Sequence, residues 1–181
     1  MNNLKFVQWT INAIKEDGVA MGWFDERRYD WCQIAHRFTS SIISGYTALL
    51  CTDSQREWFG DYVLQSINTR NGRPLIPITN LNKMLPQGVE TNINLIEDML
   101  EVAFGNKYVI WYVGYLNNKF AKLALESSNN FIWSFEGDIK MAFNLKDNDS
   151  DNDIKLLQLF KVLDKTIEAM MFNEIDDQKS Q

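Results

Sequence analysis

The chain has 181 residues, 45% of them apolar and 23% charged, with a formal net charge of −6. That length is one domain, large enough to bury about 70% of the unfolded chain's surface. The acidic balance argues against direct binding to DNA or RNA, which needs a positive surface to release counterions.

Two cysteines, Cys32 and Cys51, build no disulfide framework and fit a reduced, cytoplasmic setting. The first residues mix Asn, Lys, Gln and Trp into apolar positions, unlike a signal peptide. No apolar run reaches the roughly 18 residues of a membrane helix. Six Trp, six Tyr and eleven Phe are many for this length. Large rings bury area at low entropy cost, so such an excess suits an interface as well as a core.

In chain order, Leu4, Val7, Ile11 and Ile14 recur at helical spacing, and Gly18 ends that run. Trp31, Ile34, Ala35, Phe38 and Ile42 form a second stripe, with Asp25 as its expected N-cap and Gly45 as its C′ residue. Strands and helices then alternate. Tyr46 to Cys51 reads as a strand. Ser54 to Ile67 reads as a helix, with Ser54 and Glu57 in capping-box spacing. Pro74 to Thr79 is a second strand, and its two prolines remove ladder donors and place it at a sheet edge.

Ile93, Ile96, Met99, Leu100 and Ala103 line one face of the next helix. Tyr108 to Val113 is apolar throughout, as a central strand buried on both faces should be. A short helix follows around Phe120, Leu123 and Ala124. Phe131 to Phe135 and Met141 to Leu145 are two further strands, and Ile154 to Met170 a long last helix. The alternation implies a parallel sheet covered on both faces. The expected architecture is three-layer α/β/α, with a five-stranded parallel sheet in the order 2-1-3-4-5 behind two N-terminal helices. One domain should span residues 1–175. Asn80 to Glu90 and the acidic loop Lys146 to Asp153 read as loose, and residues 176–181 as a disordered tail.

The turn after the first strand, Cys51-Thr-Asp-Ser-Gln-Arg-Glu-Trp-Phe59, is the most telling stretch. Such turns in α/β folds are where anions meet helix N-termini, and a phosphate cradle there uses glycine. This turn has none and carries Asp53, which repels phosphate. A binding protein is the reading that follows, rather than an enzyme. Asp147, Asp149, Asp151 and Asp153 alternate like a calcium loop, but Asn152 and Gln158 stand where its Gly and Glu belong. Cys32 and His36 share a helix face, yet His36 is the single histidine and a metal site would lack ligands. It reads instead as a surface histidine. Ser–His–Asp catalysis has no G-x-S-x-G turn to use, and no G-x-G-x-x-G or P-loop marks a nucleotide site. No catalytic residue, metal or cofactor is expected.

On the helix after the turn, Trp58 and Tyr62 share one face, and Phe59 and Val63 the neighbouring one. Both pairs cannot easily pack on one sheet. One pair is core, and the other either meets a partner or is structural. Asp53, Glu57 and Asp61 flank the rings with negative charge, so Asp53, Glu57, Trp58, Asp61 and Tyr62 are the candidate partner-binding residues. Phe6, Trp9, Trp23 and Phe24 on the N-terminal helices are expected to leave rings exposed for self-association.

Five segments together resemble a known family: Cys51 to Ser54, Arg56 with Trp58 and Phe59, Arg73 to Leu75, Phe131 to Glu136, and Lys155 to Lys161. Their order is similar to that of HobA, the DnaA initiator-associating family of the Helicobacter–Campylobacter group, over nearly the whole chain. The resemblance implies a fold like the sugar-isomerase (SIS) domain and a homotetramer built as a dimer of dimers. It implies a non-catalytic role in starting chromosome replication, by binding the N-terminal region of DnaA and gathering it at the origin. The alternative is a phosphosugar isomerase or sugar-phosphate sensor of the same fold. SIS proteins hold phosphosugars in Ser/Thr/Gly-rich loops, and this chain departs from that pattern at Asp53 to Glu57.

Overall fold

The computed structural model describes residues 3–16, 21–86, 92–137, 139–147 and 149–175. The expected helix end at Gly18 and the tail 176–181 lie outside them. Helix α1 (Asn3–Glu16) leads to a 3-10 helix (Gly22–Arg27) and to α2 (Arg28–Ile43). Asp25 is not the cap of α2. Arg27 stands at that position without a side-chain bond, and Asp25 pairs loosely with Arg28 at 4.0 Å. The reason is the core: Phe24 is buried and Trp23 donates its indole N–H to Gln158 at 2.9 Å. The chain is therefore already wound when it enters α2. At the other end Gly45 (φ +86°) is the C′ residue. Its N–H bonds Ile42 and that of Tyr46 bonds Ser41, a Schellman closure that glycine makes without strain.

Five parallel strands follow in the order β2-β1-β3-β4-β5. They are β1 (Thr47–Thr52), β2 (Ile78–Asn80), β3 (Tyr108–Gly114), β4 (Asn130–Ser134) and β5 (Phe143–Asn144). β2 lies at the edge, as its prolines require, but only three residues pair. Pro74 and Pro77 donate nothing, and the Ile76 amide and carbonyl are both taken by the Asn68 side chain, at 2.8 and 3.0 Å. β5 is short because Met141 turns the chain through a left-handed conformation (φ +70°) just before it.

The helices between the strands are α3 (Glu57–Ser66), α4 (Leu81–Met84), α5 (Ile93–Phe104) and α6 (Lys119–Glu126), and α7 (Asn152–Met171) follows β5. Successive β3 residues alternate between the layers. Val109, Trp111 and Val113 belong to the core built with α1, α2, α3 and α7; Ile110 and Tyr112 belong to the one built with α4, α5 and α6. Trp31, Phe38, Trp111, Phe131 and Trp133 pack as one ring cluster, with Phe38 stacked on Phe131 at 4.4 Å. On α5 only Ile96 and Leu100 are buried. Ala103 is exposed, and Val102 is 90% exposed.

The N-terminal rings are not left over. Phe6 and Phe24 are fully buried, and Trp9 and Trp23 pack on the same core. Self-association therefore has no support from those rings. The described parts of the two segments read as loose are anchored. Asn80 caps α4 through the Lys83 amide at 3.1 Å, and Asn82 bonds both the amide and the carbonyl of Thr52. Residues 87–91 lie outside the described chain. In the acidic loop Asp147 accepts from the Tyr115 hydroxyl at 2.6 Å, and Asp149 pairs with Lys155, which holds the Asp149 carboxyl below its usual range.

Candidate partner-binding site

The site begins where β1 ends. Asp53 is the N-cap of the turn into α3: its Oδ1 accepts from the Arg56 amide at 3.0 Å. Its Oδ2 accepts from Arg56 Nη1 at 2.7 Å and from the Tyr115 amide at 2.8 Å. The expected Ser54–Glu57 capping box is absent because this carboxylate already occupies the cap one residue earlier. The Arg56 guanidinium lies 4.3 Å from the Tyr115 ring centre and 4.1 Å from that of Phe135. Gly114 makes the closeness possible. A Cβ there would stand 2.7 Å from the Asp53 carboxylate and from the Tyr112 hydroxyl. Glu136 closes the same corner by accepting from the Leu116 amide at 3.2 Å.

Asp53 is thus not a surface charge. Asp53 and Arg56 are both buried, and the carboxylate spends its acceptors on the chain that surrounds it. The turn that would hold a phosphate in a related architecture is filled by the protein's own ion pair. Beside it a polar hollow of about 400 Å³ is lined by Thr52, Ser54, Glu57, Asn117 and Lys119, among others. Two of its carboxamides are in use. Asn118 caps α6 and donates to the Tyr112 hydroxyl, and Asn82 holds Thr52.

One turn further, α3 sorts its two side-chain pairs. Phe59 and Val63 are fully buried; Trp58 is 39% and Tyr62 44% exposed. The outward pair follows from register alone, since the inward face is taken. Glu57 is exposed beside Trp58. Asp61 is half-buried and paired with Lys83 at 2.5 Å, so its charge is largely answered within the chain. Of the five candidate residues, four lie together on α3 and the fifth anchors the turn that starts it.

The sequence does not show what Arg70 and Arg73 pair with, although Arg73 opens one of the family segments. Arg73 Nη2 meets Asp164 Oδ1 at 2.5 Å and Arg70 Nε meets Asp164 Oδ2 at 2.9 Å, while Arg70 also pairs with Glu168. They tie the chain after α3 to α7. Nothing local marks such a pairing across about 90 residues. Cys32 and His36 form no common site. The Cys32 thiol meets Thr10 at 3.7 Å, and His36 is half-buried with its ring edge-on to Phe6 at 5.3 Å, not a surface histidine.

Burial pushes the Cys32 thiol up to about 11, against the pull of the Thr10 hydrogen bond and the Arg28 charge; burial also raises that of Cys51. Both should be inert in the folded protein. Near pH 8, iodoacetamide should label Cys32 at least about a hundredfold more slowly in the native than in the denatured chain. Mass spectrometry of timed samples reads this directly, and equal rates would mean that α2 opens readily.

A parallel five-stranded α/β/α domain, with Trp58 and Tyr62 turned outward on α3, defines an α/β protein whose anion turn is filled by its own ion pair. The HobA family, described as a DNA replication regulator, matches residues 1–177, and the chain belongs to that family. It is 28% identical over 179 residues to the DNA replication regulator protein HobA of Helicobacter pylori, covering 94% of this chain and 97% of the relative. Its fold is similar to a crystal structure of a HobA–DnaA (domain I-II) complex from Helicobacter pylori. The TM-score is 0.76 and the identity 30%, over 96% of this chain and 98% of that one. A crystal structure of HobA from the same organism has the same TM-score at 29% identity, with the same coverage. No helix among the described residues is long and apolar enough to cross a membrane.

Proposed function

We propose that this protein is a non-catalytic, cytoplasmic regulator of chromosomal replication initiation. It binds the N-terminal region of DnaA and promotes assembly of DnaA at the origin, as a homotetramer built from two dimers with residues 1–175 as one unit. The observation that carries the reading is the near-full-length likeness to a chain crystallised with DnaA domains I-II. The residues supply the manner of contact. Trp58 and Tyr62 offer ring area, Glu57 and Asp61 stand at its edge, and Asp53 acts from behind by fixing where α3 starts.

A phosphosugar function has less support. The Asp53 carboxylate and its Arg56 partner occupy the turn, and a phosphate would have to displace a buried pair. Light scattering tests assembly and binding together. The protein alone should show four times the 21.1 kDa of one chain, and DnaA domain I-II should raise that mass. A stable monomer whose mass does not change with DnaA would overturn the reading. So would a monomer or oligomer that instead binds sugar phosphates tightly.

A further inference from the structure

Helix α5 commits few of its apolar side chains to the core. Of its 12 residues only Ile96 and Leu100 are buried. Leu95 is 41% and Val102 90% exposed, and Met99 between them is half-buried. At i, i+4 and i+7 these three make one stripe, on a separate face from Ile96 and Leu100. A helix that lies on a core by one stripe keeps its remaining positions polar, whereas here a second apolar stripe meets water.

Charge lies beside the stripe. Glu97, Asp98 and Glu101 follow it on one flank, and α5 has no Lys or Arg. Among the described residues none of these three carboxylates forms an ion pair, and Lys107, beyond the helix end, pairs with none of them. Other acids of the chain are answered internally: Asp53 by Arg56, Asp61 by Lys83, Asp149 by Lys155, and Asp164 by Arg70 and Arg73. Glu101 also stands in the last turn, where the helix dipole disfavours negative charge and no basic residue offsets it. Burial, and then the Glu97 and Glu101 charges, hold the Tyr108 hydroxyl above its ordinary pKa, as open carboxylates do.

We propose that the outer face of α5 is a second docking surface, and that it takes a basic amphipathic helix of another protein. Leu95, Met99 and Val102 pack on the apolar stripe of that helix. Glu97, Asp98 and Glu101 meet the lysines or arginines beside it. The surface lies on the layer opposite Trp58 and Tyr62, so it leaves the α3 face free, and it does not depend on the DnaA-binding reading.

Charge selects the occupant. Nucleic acid and anionic membrane are repelled by three open carboxylates. A second copy of α5 would gather its own three around the same seam and bring no cation. A straight stripe on a convex helix is matched by another helix of the same spacing, and cations on its flank supply what the carboxylates lack.

The probe is a pair of synthetic helical peptides with the same leucine stripe, one flanked by lysines and one by glutamates. Each is titrated into the full chain and its variants by fluorescence anisotropy at physiological salt, with light scattering and a melting curve on every variant. The lysine peptide should bind saturably and the glutamate peptide should not. Leu95→Gln with Val102→Gln, and Asp98→Lys with Glu101→Lys, should each weaken the lysine peptide at least about tenfold. The charge-reversed variant should take the glutamate peptide instead. Asp151→Lys with Asp153→Lys, before α7, makes the same change in net charge. It should alter lysine-peptide affinity less than about threefold, because distant surface charge is screened. A lysine peptide that does not bind would overturn the proposal. So would one weakened no more by the α5 changes than by the loop reversal, since the attraction would then be to net charge. Loss of DnaA domain I-II binding in the α5 variants would make this face part of the DnaA site, and a fall in their mass would make it a self-interface. Either result would also overturn it.

Discussion

Asp53→Ala is expected to lower the unfolding free energy by about 3–5 kcal/mol, the usual cost of removing one member of a buried ion pair. Three contributions add up. The Arg56 guanidinium, buried between Tyr115 and Phe135, loses its carboxylate. The turn into α3 loses its N-cap, worth about 1 kcal/mol by itself. The Tyr115 amide loses its acceptor at the end of β3. Asp53→Ala combined with Arg56→Leu should cost less than the sum of the single changes, because the stranded charge is removed with its partner. Urea denaturation of the four proteins measures this. Additive losses would mean that the pair is not coupled, and that the turn is held by something else.

Trp58→Ala separates contact from core. The ring stands outward, touching Phe59 edge-on at 5.8 Å, so its loss should cost stability little. Binding of DnaA domain I-II should weaken by about 2 kcal/mol or more, roughly thirtyfold, in the range of an aromatic hot spot. Phe59→Ala is the mirror image. That ring is fully buried against Trp133 and Phe160, and its loss should cost about 3–5 kcal/mol of stability. A Trp58→Ala protein that melts early and loses assembly would place the ring in a subunit interface. One that is folded and binds unchanged would move the DnaA contact off this face.

The fold was legible where one physical constraint dominated. The unbroken apolar run of β3 could only be a strand buried on both faces, and prolines confined β2 to an edge. The two side-chain pairs of α3 could not both face the sheet, and the structure assigns Phe59 and Val63 inward. Capping was harder to read, because competing acceptors lie one residue apart. Asp53 wins the cap over Ser54 since its second oxygen also reaches Arg56 and Tyr115.

Long-range pairing was not legible at all. The clearest family segments turn out to make long-range contacts. Arg56, paired with Asp53, lies over Phe135, Arg73 meets Asp164, and Lys155 lies over Trp23 at 5.3 Å. Those segments build the scaffold around α3, and the surface they support is less conspicuous in sequence than they are. The N-terminal rings mislead for a related reason. Phe6 and Phe24 look surplus until α7 and β5 come back to cover them.

Titration of DnaA domain I-II into this protein, followed by calorimetry, bears most directly on the central claim. Saturable binding with one DnaA fragment per subunit, lost or sharply weakened in Trp58→Ala while the melting curve is retained, is the result expected. Absence of any heat of binding, with the protein folded and assembled, would contradict it.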